Sequence, residues 1–200
     1  MRIGVLALQG AFAAHRDLLS TIEVESREVR LPGDLDEIDG LILPGGESTT
    51  MSNLLRSTSL LDPLSLFLSD GRPVMGTCAG MILLSHRILD GRSDQIALDA
   101  LDVTVRRNGY GRQVDSFETD ITIDDWDETF HAVFIRAPII ESAGSDVRVL
   151  AEHDGRPVLV RQDSVLAASF HPELTADGRI HSYFAGMVRD AKITPRNSKR

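Results

Sequence analysis

Cys78 is the only cysteine among 200 residues, and it stands in Val74-Met75-Gly76-Thr77-Cys78-Ala79-Gly80-Met81-Ile82-Leu83-Leu84. An apolar run, a turn of small residues and a second apolar run are what a nucleophile elbow needs. Glycines two residues to either side of the nucleophile let a strand and a helix approach each other closely around a strained turn. A thiol just ahead of a helix start meets free N–H groups that favour the thiolate, and the N–H of Ala79 points where an oxyanion would form. Outside such a setting a lone cysteine is a small buried hydrophobe, and the glycines would be no more than a turn.

A thiolate that expels an amine needs an imidazole to protonate the leaving group, usually with a carboxylate behind the ring. His171 closes the apolar run Val165-Leu166-Ala167-Ala168-Ser169-Phe170 and is followed by Pro172 and Glu173. The proline biases His171 toward extended backbone, and residues two apart on an extended segment share a side, so Glu173 should reach the ring edge that Cys78 leaves free. Taken alone, His171 is equally readable as a strand-end histidine with a solvated neighbour. His-x-Glu is a poor metal motif without a second ligand pair, so no metal is expected. His15, His86, His131, His153 and His181 have no comparable setting and are read as structural or surface residues.

Two further loops have ligand-binding texture. Leu41-Ile42-Leu43 runs into Pro44-Gly45-Gly46-Glu47-Ser48-Thr49-Thr50, where small residues let backbone N–H groups reach a ligand. The loop lacks the Gly-Lys-Ser/Thr ending of a P-loop and the spacing of a dinucleotide site, so a second oxyanion donor is the better reading. Asn108-Gly109-Tyr110-Gly111-Arg112 beside Arg106 and Arg107, and Phe134-Ile135-Arg136-Ala137-Pro138, put arginines at candidate crevice rims. Each is a surface charge by default, but at a crevice it can pair a substrate carboxylate.

These residues require a scaffold that gathers strand ends. Runs at Arg2 to Leu8, Ser26 to Leu31, Gly40 to Leu43 and Arg72 to Met75 read as strands. They alternate with helical patterns at Ala11 to Ser20 and at Thr49 to Leu68, the latter broken near Pro63. That alternation implies a parallel sheet with helices on both faces. From Ala100 to Phe170 the texture turns β-rich, with runs at Leu101 to Val105, Phe117 to Ile123, Ala132 to Arg136, Val147 to His153, Pro157 to Arg161 and Val165 to Phe170, which implies a mixed or antiparallel extension. A last amphipathic helix is expected over about Gly178 to Asp190. The fold class is therefore α/β, a single-domain open mixed sheet flanked by helices, over residues 1–190, with a flexible basic tail at 191–200.

Composition excludes several classes. A net charge of −9 argues against nucleic-acid binding, which draws its affinity from clustered Lys and Arg. With no apolar run near the roughly 18 residues of a membrane span, no membrane partner is expected. One cysteine cannot form an intramolecular disulfide, which fits a reducing, cytoplasmic setting. The stretch from Arg2 to Ala14 superficially resembles a cleavable signal, but Gln9 and Gly10 interrupt it and it reads better as strand and turn.

Together, Leu8-Gln9-Gly10, the Pro44–Thr50 loop, the Cys78 elbow, the segment from Arg107 to Glu118, Phe134–Pro138 and Ser169–Thr175 resemble class I glutamine amidotransferases, whose fold is flavodoxin-like. Within that class they are most similar to the glutaminase subunits of pyridoxal 5′-phosphate synthases. The resemblance runs from about residue 3 to about residue 190. It implies L-glutamine as substrate, Cys78 as nucleophile, His171 as acid and base, and Glu173 as its orienter. It further implies glutamine contacts from Gly46, Glu47, Ser48, Arg107, Ile135 and Arg136, with oxyanion donors from Gly46 and Ala79. Ammonia would pass to a barrel-shaped synthase subunit that makes pyridoxal 5′-phosphate from ribose 5-phosphate and glyceraldehyde 3-phosphate, in a complex with twelve copies of each subunit, and no cofactor would be held here. One departure stands out: family members commonly carry an acidic residue where Ala14 precedes His15, on a helix near the expected partner face. The competing readings are a peptidase-like or deglycase-like hydrolase with a cysteine elbow, and a catalytically idle binding subunit.

Overall fold

A computed structural model describes residues 1–107 and 116–193. The Asn108–Arg112 turn and most of the segment from Arg107 to Glu118 lie outside the described residues, as does the tail beyond 193.

In chain order the elements are β1 (Arg2–Leu6), α1 (Phe12–Thr21), β2 (Glu25–Val29), β3 (Gly40–Leu43), α2 (Ser48–Ser57), α3 (Leu61–Ser69), β4 (Val74–Thr77), α4 (Ala79–Leu84) and β5 (Ser85–Ile88). They continue with β6 (Leu101–Arg106), β7 (Ser116–Ile121), β8 (Phe130–Ile135), β9 (Ile139–Ala143), β10 (Arg148–His153), β11 (Arg156–Gln162), β12 (Val165–Ala168) and α5 (Arg179–Ile193). Short 3₁₀ turns occupy Pro32–Glu37 and Pro172–Leu174.

Seven strands form the main sheet in the order β10-β11-β12-β4-β3-β1-β2. The stretch from β12 to β2 is parallel, and β10 and β11 add to it antiparallel. The expected mixed sheet is thus present. Strands β3, β4 and β12 are buried along their whole length, as parallel strands covered on both faces must be. Their side chains alternate between two cores. Leu41, Leu43, Val74, Val165 and Ala167 pack with α2, α3 and α4 through Met51, Leu55, Leu64, Phe67 and Met81. Ile42, Met75, Leu166 and Ala168 pack on the opposite face with α1 and α5 through Leu19, Ile180, Phe184 and Val188. Each such buried aliphatic side chain contributes about 1.5–3 kcal/mol, and the period of two along a strand divides that gain between the faces.

Two local expectations, the helix break near Pro63 and the start of the tail at 191, are corrected. The break between the helices falls at Thr58–Leu60, and Pro63 lies inside the first turn of α3, where its missing N–H has no helical partner to lose. The helix after Cys78 is only six residues long and passes directly into β5, which pairs with β6 in a small separate sheet completed by β9 on the other side of β6. The last helix runs to Ile193, with Lys192 Nζ 2.8 Å from Asp39, so residues 191–193 are helical. Among the described residues no helix is long and apolar enough to cross a membrane.

Candidate active site

The carboxyl ends of four neighbouring parallel strands deliver the candidate residues to one edge of the sheet. β12 pairs with β4 so that Ala168 lies opposite Thr77, and β4 pairs with β3 so that Gly76 lies opposite Leu43. One residue beyond Thr77 is Cys78, three beyond Ala168 is His171, two and three beyond Leu43 are Gly45 and Gly46, and β1 leads to Gln9 and Gly10. Carboxyl-end loops of an open α/β sheet form the crevice in which ligands bind.

The elbow is strained. Cys78 has φ 48° and ψ −103°, a conformation that costs a non-glycine residue about 1–3 kcal/mol and persists only where the surroundings impose it. Its N–H donates to the Ala168 carbonyl at 2.8 Å, anchoring the turn to β12. A side chain at Gly80 would collide with the Leu43 carbonyl, and one at Gly76 would lie 2.7 Å from the Gly80 carbonyl carbon, so both glycines are required for the close approach of β4, β3 and α4. The thiol is buried, with Sγ 3.9 Å from the Ile135 carbonyl oxygen.

His171 donates its backbone N–H to the Val133 carbonyl at 2.8 Å. Its Nδ1 lies 2.7 Å from Glu173 Oε1, and the ring lines the same cleft as Cys78. The expected route from His171 to Glu173 is corrected. Pro172 opens a 3₁₀ turn, so Glu173 reaches the imidazole by curling back beneath it and not along an extended segment. Burial alone would lower the His171 pKa, but hydrogen bonds and charges from Cys78 and Glu173 outweigh it and hold it up at about 10. Burial likewise pushes the Glu173 carboxyl up, and His15 together with the hydrogen bond from His171 brings it below its ordinary value. A carboxylate behind the ring favours the protonated imidazole over the neutral one.

Gly46, Glu47, Ser48, Arg107, Ile135 and Arg136 line one cleft together with Cys78, His171, Gly10, Ala11, Gly45, Ile82 and Leu174. Glu173 sits behind His171, fully enclosed, and Ala79 is buried as the first residue of α4. Glu47 serves a structural end as well. Its carboxylate accepts from the N–H groups of Thr49 and Thr50 at 3.0 and 2.7 Å and so caps α2. Although partial burial pushes that carboxyl up, those bonds and the one from the Thr50 hydroxyl bring it down to about 2. Arg136 has φ 43°, a second strained non-glycine residue on the cleft wall.

Several neighbours carry no mark in the sequence. Gln95 accepts from Arg107 Nη1 at 2.8 Å and donates to Ser48 Oγ at 2.8 Å, tying two predicted substrate contacts into one network. Gln9 Nε2 donates to the Glu47 carbonyl at 3.3 Å. His15 and His181, read as structural or surface residues, lie fully buried, His15 beside Glu173 and His181 against His15. His15 Nδ1 is 2.9 Å from His181 Nε2 across 166 residues of chain, a pairing that no local pattern announces. The one available signal was weak: each histidine falls on the apolar stripe of its helix. His86, His131 and His153 stay at or near the surface.

The chain is similar to known proteins along nearly its whole length. The model of the SNO glutamine amidotransferase family matches residues 5–190. A pyridoxal 5′-phosphate synthase subunit PdxT from Mycobacteroides abscessus is 57% identical over 187 residues, covering 94% of this chain and 97% of that protein. The PdxT of Thermosipho africanus is 50% identical over 189 residues, covering 94% and 100%. A crystal structure of a glutamine amidotransferase superposes with a TM-score of 0.88 at 44% identity, covering 94% of this chain and 98% of that one.

Proposed function

Since the chain belongs to the SNO glutamine amidotransferase family, we propose that it hydrolyses L-glutamine to L-glutamate and ammonia within one amidotransferase domain over residues 1–190, and passes the ammonia to a synthase subunit that makes pyridoxal 5′-phosphate. The observation that carries this reading is the line of side chains Cys78, His171 and Glu173 at the carboxyl edge of adjacent strands β4 and β12. The similarity to pyridoxal 5′-phosphate synthase subunits supports the choice of pathway and partner.

In the proposed reaction the Cys78 thiolate attacks the side-chain carboxamide carbon, forming an S–C bond and an oxyanion that N–H groups of Gly46 and Ala79 receive. His171 gives its proton to the departing nitrogen, the C–N bond breaks and ammonia leaves. His171 then takes a proton from water, which attacks the thioester and releases glutamate and the thiolate. Glu173 stays ionised throughout and holds the imidazole in the tautomer that presents Nε2 to sulfur. Arg107 and Arg136 supply charge for the substrate α-carboxylate, and Ser48, Glu47 and the Ile135 backbone complete its cradle. The reading extends to a reducing cytosol, where a free thiolate survives, and to an assembly with twelve copies of each subunit.

Glutamate release from glutamine, measured with and without the synthase subunit, tests the proposal. A strong rise on adding the partner is expected, with ammonium salts alone sustaining pyridoxal 5′-phosphate formation by the partner. No glutamate release under either condition would refute it.

A further inference from the structure

We propose that His15 is a positioning residue for Glu173: it presents Nε2–H to the second carboxylate oxygen, and His181 locks it in that tautomer by donating Nε2–H to His15 Nδ1. The inference rests on the proposed glutaminase reading for its kinetic consequence, but its structural core stands on the buried geometry.

The Glu173 side chain is completely shielded from solvent, and its two oxygens are unequally served. Oε1 accepts from His171 Nδ1 at 2.7 Å. Oε2 has no hydrogen bond among the described residues, yet His15 Nε2 stands 3.4 Å away. A buried carboxylate oxygen without a donor is expensive, so a proton aimed at it matters more here than at a surface. His15 is itself fully buried, and that burial keeps its pKa below the ordinary value, so the ring carries one proton with two places to put it.

Two independent contacts choose the same place. On one side His15 Nε2 faces Glu173 Oε2 and, at 3.2 Å, the Thr77 hydroxyl. A lone pair there would oppose the electron pairs of a carboxylate, which has no proton to offer. On the other side His15 Nδ1 meets His181 Nε2 at 2.9 Å, a contact in which one nitrogen must donate and the other accept. If Nε2 of His15 holds the proton, His181 donates from Nε2, and its buried Nδ1, which has no partner among the described residues, is a bare acceptor. The reverse arrangement would leave a buried N–H at that position with nothing to receive it, the rarer and costlier defect. The chain of hydrogens therefore runs from His181 through His15 toward Glu173. A carboxylate held from both sides cannot turn away from His171, and the imidazole stays aimed at Cys78.

The test combines spectroscopy with kinetics measured in the presence of the synthase subunit. In ¹⁵N-histidine-labelled protein the His15 resonances, identified by their loss in His15→Phe, should show a protonated Nε2 and an unprotonated Nδ1. His15→Phe should lower kcat about tenfold to a hundredfold, the usual worth of a hydrogen bond to a charged group, with KM changed by less than about twofold. His15→Gln, whose amide keeps an N–H at similar reach, should recover most of that loss. A protonated Nδ1 on His15 overturns the proposal, as does a folded His15→Phe protein with unchanged kcat or a folded His15→Gln protein as impaired as His15→Phe. Should His15→Phe fail to fold, the tautomer, identified instead by loss of its signals in His15→Gln, and the His15→Gln rate decide the matter. Absence of glutaminase activity in the unaltered protein would refute the functional reading while leaving the tautomer result to stand or fall separately.

Discussion

Gly45→Ala should cripple turnover without replacing any side chain that does chemistry. The new methyl would lie 2.8 Å from His171 Nδ1, nearer still to Cε1, and 3.4 Å from Cys78 Cβ. Ordinary contact between non-bonded heavy atoms is about 3.5–4.0 Å, so the ring or the loop must retreat by about 1 Å. Gly45 does not require left-handed backbone, which makes the effect one of space and not of φ. The ring has little freedom to yield, because Nδ1 is bound to Glu173 and the His171 N–H is fixed to Val133. A displacement of about 1 Å between reacting groups costs about a hundredfold in rate. We therefore expect kcat for partner-stimulated glutamate release to fall about a hundredfold, with stability reduced by about 1–3 kcal/mol from overpacking. Gly33→Ala is the matched control: a methyl there meets nothing within 4 Å, and activity should be unchanged. A Gly45→Ala enzyme retaining about a third or more of the control's kcat would refute the reasoning.

Gly80→Ala should be worse for folding than for chemistry, because its methyl would strike the Leu43 backbone carbonyl, which cannot rotate aside. Thermal unfolding should show a loss of 3 kcal/mol or so, or no folded protein at all, and an unchanged Tm would contradict the elbow packing. pH should act on the histidines in opposite directions. His181 is held at about 3 by burial, so below its unfolded value near 6.5 the unfolded chain binds a proton that the folded one refuses, and stability falls as pH drops from about 6.5 toward 3. His171, held up at about 10 against its own burial by Cys78 and Glu173, contributes stability that is complete below about 6.5 and is lost as pH rises through about 10. Tm measured against pH should therefore decline on both sides. His181→Phe should flatten the acid limb and His171→Phe the alkaline one, and an acid limb left unaltered by His181→Phe would contradict the assignment.

The parts of this protein that local chemistry specifies were legible in the sequence. Gly76 and Gly80 around Cys78 announced a tight strand-to-helix turn because only glycine permits such close backbone approach, and the structure has that turn. The alternating apolar runs ending at Leu43 and Met75 announced parallel strands, whereas the run from Val165 to Phe170 read as part of a mixed or antiparallel extension, and its parallel pairing with β4, which sets the shared edge, was permitted by the sequence but not fixed by it. What stayed hidden depended on pairings between distant segments. Nothing near His15 indicates that α1 will lay it against α5 and Glu173, and nothing near Gln95 indicates that it will join Arg107 to Ser48. Pro172 was ambiguous for a different reason. Proline restrains the residue before it toward extended backbone but equally opens a 3₁₀ turn after it, and the second effect decides how Glu173 reaches His171.

The most direct measurement concerns the sulfur. Glutamate release by Cys78→Ala, assayed with glutamine and the synthase subunit beside the unaltered protein, should fall to the background of the partner alone, while the variant's Tm and its binding to the partner are retained. Partner-dependent hydrolysis at the unaltered rate would mean that the bond to carbon forms elsewhere, and the proposed roles of Cys78, His171 and Glu173 would fall together.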